Sequence, residues 1–321
     1  MVLKRIFVFA FGLLIFNNLC AQTFSERPIQ LLVGFTAGGA VDIVARQLAD
    51  KISIGLGQKV IVENKVGAAG NLAMEYVARA KPDGYTLLMG NLGMLSANPY
   101  LYKKLTFDPF KDFSPIARVV VTPLVAVVPT SFPVNNLQEL VQLAKTKPGF
   151  INFGSAGNGT TNHLAVELLK LQTQTQMQHI PYKGDTAAVP DLSASRIQLM
   201  MMGPNLAYSV IKDGRVKAIA LTGESRLLSF PDLPTSYESG MADFVIYGWQ
   251  GVLAPAGTPQ VIIDRISLEI QKVLANPDFS SKLSSQGTEP SYQSPHEFKN
   301  YIQIEQKRWA EVIKVGKVNL D

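Results

Sequence analysis

Cysteine is all but missing from this sequence: of 321 residues, one is Cys, at position 20. Downstream of that position there is no disulfide framework, no thiolate nucleophile and no zinc–thiolate site. Histidine is nearly as scarce. His163, His179 and His296 are the whole complement, too few and too scattered for a His-rich metal centre, and no cofactor is expected. Charge of one sign is lacking too, since 30 Lys+Arg against 25 Asp+Glu leave +5. A nucleic-acid binder shows a dense basic stripe, so nucleic acid is not among the expected partners. What the chain has in quantity is apolar surface. With 47% hydrophobic and 17% charged residues it can bury sizeable cores, and its length suits about two domains.

The N-terminus has an organisation of its own. Lys4-Arg5 precede an apolar run of eleven residues, Ile6 to Phe16, and then Asn17-Asn18-Leu19-Cys20-Ala21. A basic head, a short apolar region and a small exit residue describe a secretory signal peptide, residues 1–21, with cleavage after Ala21. The run falls short of the roughly 18–20 residues that span a bilayer as a helix. A lipoprotein anchored at Cys20 is disfavoured, because Asn17-Asn18 lack the small, apolar character of a lipidation box. Losing Lys4 and Arg5 takes two of the 30 basic residues and lowers the balance from +5 to +3. The expected product is an exported, periplasmic protein, monomeric, with no membrane span of its own.

The rest alternates β-rich runs with amphipathic stretches, the signature of an α/β fold with largely parallel strands. Strands are expected at 29–35, 59–63, 85–89, 151–153, up to about 180, at 197–202 and at 216–221. Helices are expected at 40–56, 71–80, 137–146, 160–171, 185–193, from 205, and in three closing stretches at 259–274, 278–286 and 295–315. In the first helix Val41, Val44, Ala45, Leu48 and Ile52 recur at spacings of three and four. The apolar stretch from Ile116 to Val128 is interrupted at Thr122-Pro123, where a proline splits a central strand. Phe244 to Leu253 reads as a second crossing strand. Two β/α blocks joined by two such strands suggest a two-lobed clamshell that closes on a small ligand. Its first lobe is expected at 22–123 and 252–321 and its second at 124–251, with hinges near 122–126 and 246–252.

Three strand-to-helix junctions carry the chemistry. In Phe35-Thr36-Ala37-Gly38-Gly39-Ala40 the glycines permit a sharp turn and a close backbone approach. The helix that follows leaves its first N–H groups free, and an anion there gains roughly 0.3–2 kcal/mol. Ser155-Ala156-Gly157-Asn158-Gly159-Thr160-Thr161 repeats the arrangement with added hydroxyls. It lacks the Lys-Ser/Thr of a P-loop, and the first loop is no GxGxxG, so neither points to a nucleotide. In Tyr182-Lys183-Gly184-Asp185, Asp185 is either an N-cap or a ligand contact. Asn91, Ser96, Tyr182, Asp185 and Asn205 are candidates for the walls between these loops.

A hydrolase is the catalytic alternative. Ser155 lies eight residues before His163, which shares a helix face with Glu167 four further on. There is no GxSxG elbow, however, and residue types make no triad without geometry. Met200-Met201-Met202 reads as strand core, and Trp249 and Trp309 as packing aromatics. His179 and His296 show no partner.

Several runs resemble a known family. Gly38-Gly39-Ala40-Val41-Asp42 with Ala45-Arg46, Val62-Glu63-Asn64 through Gly70, and Lys81-Pro82-Asp83-Gly84-Tyr85-Thr86 come first. Gly157-Asn158-Gly159 before His163-Leu164, Pro181-Tyr182-Lys183-Gly184, Leu233-Pro234-Thr235 with Glu238-Ser239-Gly240, and Ala254 to Pro259 follow in the same order. Together they resemble the periplasmic substrate-binding receptors of tripartite tricarboxylate transporters, also called Bug-type receptors. Lys65-Val66 and Ser195 depart from the common pattern, away from the expected cleft. The resemblance implies a Venus-flytrap (type II periplasmic-binding) fold without enzymatic activity, and a small carboxylate handed to a membrane permease. It also implies that backbone groups and ordered water at the first and second loops hold the carboxylate. The expected ligand contacts are therefore Thr36, Ala37, Gly38, Gly39, Ala40, Asn91, Ser155, Gly157, Gly159, Thr160, Thr161 and Asp185. A receptor presenting its liganded form to a membrane sensor kinase would need the same site. The acid itself, whether a di- or tricarboxylate, an acidic amino acid or an aromatic acid, is not legible.

Overall fold

The computed structural model describes residues 26–318, so the expected export segment lies outside the described residues. The chain first runs β1 (Ile29–Val33), α1 (Ala40–Leu56), β2 (Val60–Asn64), α2 (Asn71–Ala78), β3 (Thr86–Asn91), a π turn (Gly93–Ala97), α3 (Asn98–Leu101) and β4 (Phe113–Pro123). It continues through β5 (Val125–Pro129), α4 (Leu137–Thr146), β6 (Asn152–Ser155), α5 (Thr161–Thr173), β7 (Gln178–Pro181), α6 (Asp185–Ser193), β8 (Leu199–Met202), α7 (Pro204–Ile211) and β9 (Val216–Leu221). It returns by β10 (Tyr247–Pro255), α8 (Gln260–Leu274), α9 (Pro277–Ser285), β11 (Glu289–Gln293) and α10 (Pro295–Val315).

Two sheets form, in the orders β11-β4-β10-β3-β1-β2 and β7-β6-β8-β5-β9. Their strand directions determine where a ligand can sit. β1 is parallel to β2 and β3, while β10 is antiparallel to both β3 and β4. β4 therefore runs with β1–β3, and all four end at the same edge. Only Leu124 separates β4 from β5. In the second sheet β5 is antiparallel to β8, which runs with β6 and β7. The C-terminal ends of β6–β8 thus lie where β5 begins. Both sets of carboxyl ends turn toward the crossover, the position at which open α/β sheets bind ligands.

The proline at 123 ends β4, as its missing N–H requires. β10 begins at Tyr247, three residues later than the pattern suggests, and pairs with β4 from Pro123 onward. The expected lobe boundary at 251/252 therefore falls inside a strand that belongs whole to the first sheet. Strand β11 escapes sequence reading because Glu289-Pro290-Ser291-Tyr292-Gln293 carries a proline and no apolar alternation, a pattern confined to sheet edges.

One buried threonine ties the two crossings together. The Thr222 hydroxyl accepts the Leu124 N–H at 2.8 Å and donates to the Ile246 carbonyl at 2.6 Å. Its backbone N–H donates to Leu124 O at 2.9 Å, and its carbonyl accepts Ile246 N–H at 2.8 Å. The second bridge between the lobes is α10. Its Phe298, Ile302, Trp309, Val312 and Ile313 join the core that also holds Phe153, Leu164 and Leu168 of the second lobe. Gly251 makes room for it, since a Cβ there would stand 2.3 Å from the Phe298 ring. Trp249 and Trp309 are buried, and both indoles donate to Glu305. Met200, Met201 and Met202 are fully buried in β8.

Thr222→Val keeps the shape and deletes the hydroxyl, leaving Leu124 N–H and Ile246 O each without that partner. Each buried polar group left unpaired costs about 1–3 kcal/mol, so for the two groups a loss of about 2–6 kcal/mol is expected in urea unfolding. An unchanged midpoint would show that the staple carries no stability.

Candidate functional site

The first loop is shaped from beneath by a carboxylate. Asp42, 2% exposed, accepts the Gly38 N–H at 2.8 Å, Arg46 Nε at 2.9 Å and Asn64 Nδ2 at 2.7 Å. Asn64 Nδ2 also donates to Phe35 O. The Arg46 hydrogen bond, outweighing the upward push of burial, holds the Asp42 carboxyl down to about 2. Gly38 takes φ +80°, which favours glycine, and the Gly39 N–H closes a turn on Thr36 O. The Gly38 and Gly39 N–H groups are therefore engaged inside the loop. The groups left are the first N–H groups of α1, from Ala40 onward, because Gly39 offers no capping side chain. Thr36, Ala37, Gly38 and Ala40 are exposed.

The second loop rests on a stack of rings. Ser155 is fully buried and its Oγ lies 2.6 Å from His179 Nε2, while Gly157 N–H donates to the same oxygen. The His179 ring stacks on His163 at 3.7 Å between centroids and on Phe153 at 4.9 Å. His163 Nδ1 accepts the Gly159 N–H, which puts its proton on Nε2, 3.7 Å from Glu167 Oε1. Lys170 completes the chain at 2.7 Å from the same oxygen. Burial pushes His179 down to about 4.

The Ser155 hydroxyl and the Gly159 N–H are thus engaged inside the loop. The partner of Ser155 is His179, to which the sequence assigned nothing; the pairing arises only because β6 lies beside β7, with Phe153 opposite His179. A nucleophilic Ser155 loses its geometry, since its hydroxyl is sealed under the loop and Glu167 serves the other histidine. Thr160 turns its hydroxyl back to Gly157 O. Helix α5 consequently opens with no side-chain cap over Thr161, Asn162 and His163.

The third loop docks on the second. Gly184 N–H donates to Ala156 O and Tyr182 N–H to Ser155 O. Tyr182, a candidate wall residue, ties its hydroxyl to Asp191 at 2.7 Å. Asp185, the first residue of α6, accepts Asn162 Nδ2 at 2.9 Å; the same nitrogen reaches Met201 O at 2.8 Å. Burial pushes the Asp185 carboxyl up, against the Asn162 hydrogen bond. Open space surrounds these loop tips: a Cβ at Gly38, Gly184 or Gly203 would meet nothing within 4 Å. The start of α5 lies against the crossing strand, with Thr161 Cγ2 4.0 Å from a Cβ at Gly248. Asn91 closes β3 and caps the π turn by accepting Met94 N–H. Near it, Ser96 Oγ and Gln250 Oε1 are buried without hydrogen-bond partners; Gln250 stands opposite Asn91 in the β3–β10 pair and drew no notice in the sequence. Among the described residues no cluster of three or more His, Cys, Asp or Glu is placed to hold a metal.

Two expectations follow. Asp42→Ala removes charged hydrogen bonds worth about 1.5–3 kcal/mol each and should lower the unfolding midpoint while disordering the 36–40 loop, visible as faster amide exchange there. For His179 the folded value, about 4, lies below the unfolded 6.5. The unfolded state then binds the proton first, so stability is full above pH 6.5 and declines as pH falls toward 4. His179→Gln should flatten that decline in a pH series of melts; an identical decline would exclude His179 as its source.

The chain is similar to proteins of known structure. A model of the tripartite tricarboxylate transporter family receptor matches residues 44–319. The periplasmic binding protein BugD is 36% identical, covering 92% of this chain and 99% of its own, with a TM-score of 0.75. A Rhodopseudomonas palustris protein, Rpa4515, solved with adipate, is 31% identical over 92% of this chain and 98% of its own, with a TM-score of 0.79. MatC from the same organism, solved with bound malate, is 30% identical over 90% of this chain and 100% of its own, with a TM-score of 0.75. The chain belongs to the tripartite tricarboxylate transporter receptors of the Bug type, a family of two-lobed periplasmic solute-binding proteins.

Proposed function

We propose that the protein captures a small organic carboxylate between its lobes and delivers it to a tripartite tricarboxylate-type membrane permease. The observation that carries this reading is the set of helix N-termini at the crossover. α1 opens at Ala40, α5 at Thr161 and α7 at Pro204, each without a side-chain cap. Free N–H groups with partial positive charge suit a carboxylate, and bridging waters complete such a shell at little cost. Adipate and malate, bound by the two neighbours, are acids of this kind. In this reading the lobes hinge at Leu124 and Ile246, the residues Thr222 staples, and the mature, monomeric protein works in the periplasm after cleavage behind Ala21.

The test is a thermal-shift and calorimetry panel on refolded, ligand-stripped protein: citrate, C4–C6 diacids, acidic amino acids, aromatic acids, and neutral sugars as controls. A ligand at a hundred times its dissociation constant adds about 2.7 kcal/mol of stability. A sharp response to one carboxylate supports the reading, and silence across all of them ends it. Gly39→Val locates the site. Gly39 has φ −75° and ψ 165°, open to any residue, and a Cβ meets only Thr36 O at 3.2 Å. The variant should melt like the parent yet bind at least about tenfold more weakly, or 1.4 kcal/mol, because its side chain covers the α1 N-terminus. Gly159, at φ +75°, is the poorer probe: valine there strains the backbone and collapses the loop.

A further inference from the structure

Asp185 is the acidic member of the candidate site, and its setting gives it a task that the helix N-termini cannot perform. The strand before it, β7, is at the sheet edge, but the carboxylate reaches inward: Asn162 Nδ2 joins its Oδ1 to the Met201 carbonyl at the end of β8. The group therefore stands over the carboxyl ends of β6 and β8, beside the start of α5. An ionised carboxylate accepts at about four positions. Here the side-chain donor is one neutral amide, and among the described residues no Lys, Arg or His comes within 4.0 Å of it. Next to it, Gly184 faces open space. Asp185 is half-buried, and this partial loss of water comes without a counter-charge, which is why its carboxyl is pushed up. A plain dicarboxylate entering this face meets a like charge, whereas a ligand bringing a donor meets an acceptor with unfilled positions.

Building on the receptor reading, we propose that Asp185 sets the specificity of this site: it selects carboxylates that carry an ammonium or hydroxyl group beside the carboxylate, and rejects unsubstituted diacids of the same length. The N-termini of α1 and α5 hold the carboxylate, and Asp185 accepts the hydrogen bond from the substituent. A donor missing from the ligand leaves the half-buried carboxylate under-satisfied once the lobes enclose it, and such losses discriminate more strongly than a change in apolar contact.

The experiment is calorimetric titration of the wild type, Asp185→Asn and Asp185→Ala with matched sets: succinate, malate and aspartate; glutarate, 2-hydroxyglutarate and glutamate; benzoate and adipate as acids with no donor. The wild type should bind one substituted member at least about tenfold tighter than its plain diacid, or 1.4 kcal/mol, and the amino and hydroxy arms tell which donor is read. Both variants should close the gap, chiefly by losing the substituted ligand, with melting temperatures of the free proteins at or above the wild type. Equal affinities within every wild-type set, tight binding of adipate or benzoate alone, or a gap that survives in both variants would overturn the assignment and leave the carboxylate-receptor reading intact. No binding of any carboxylate would overturn both. Should a variant fail to fold, the wild-type comparison still decides.

Discussion

Thr222 holds the two places where the chain passes between sheets, and the rest of the arrangement depends on that staple. With its hydroxyl between Leu124 and Ile246 and its backbone paired to both, the two crossings sit side by side with fixed strand directions. Those directions bring the carboxyl ends of β1–β3 and β6–β8 toward one space. A shift of either crossing would turn one set of loops away, and no change in loop sequence could restore the site. The crossover is short, one residue at Leu124.

Within that frame the glycine loops divide their hydrogen-bonding groups between self-support and exposure. Asp42 and the Ser155–His179–His163 stack consume the N–H groups of Gly38, Gly157 and Gly159. That leaves the first turns of α1 and α5 as the groups that face outward. Polar atoms under a loop thus act as scaffolding for backbone donors above it. Preorganised donors of this sort lose little on binding. An inward-facing serine and histidine in hydrogen-bond contact resemble half a catalytic machine, yet with the Ser155 hydroxyl sealed under the loop they form a strut.

Much of the fold was legible because periodicity reports burial on one face. The helices at 40–56, 137–146 and 295–315 carry their apolar stripe in sequence, and their ends agree with the structure. The two tryptophans read as packing groups and are buried. Strand β11 was not legible, since its pairing with β4 is paid for by its neighbour and not by its own side chains. The π turn after β3 was equally hidden: Gly93 to Ala97 has no pattern that separates it from an ordinary helix start.

The sequence by itself determined the α/β layering, the glycine-rich junctions, the break at Pro123 and the family resemblance, because each is a local property of residue type and spacing. Tertiary structure alone decided which of those junctions' groups are engaged inside the loops and which are left open. His179 becomes the partner of Ser155 only through the β6–β7 register. Asn162 reaches Asp185 only across two helix starts, and Thr222 meets Leu124 and Ile246, 98 and 24 positions away, only when the chain between has folded. Hydrogen bonds between distant positions have no periodicity, and so they leave no trace in the order of residues.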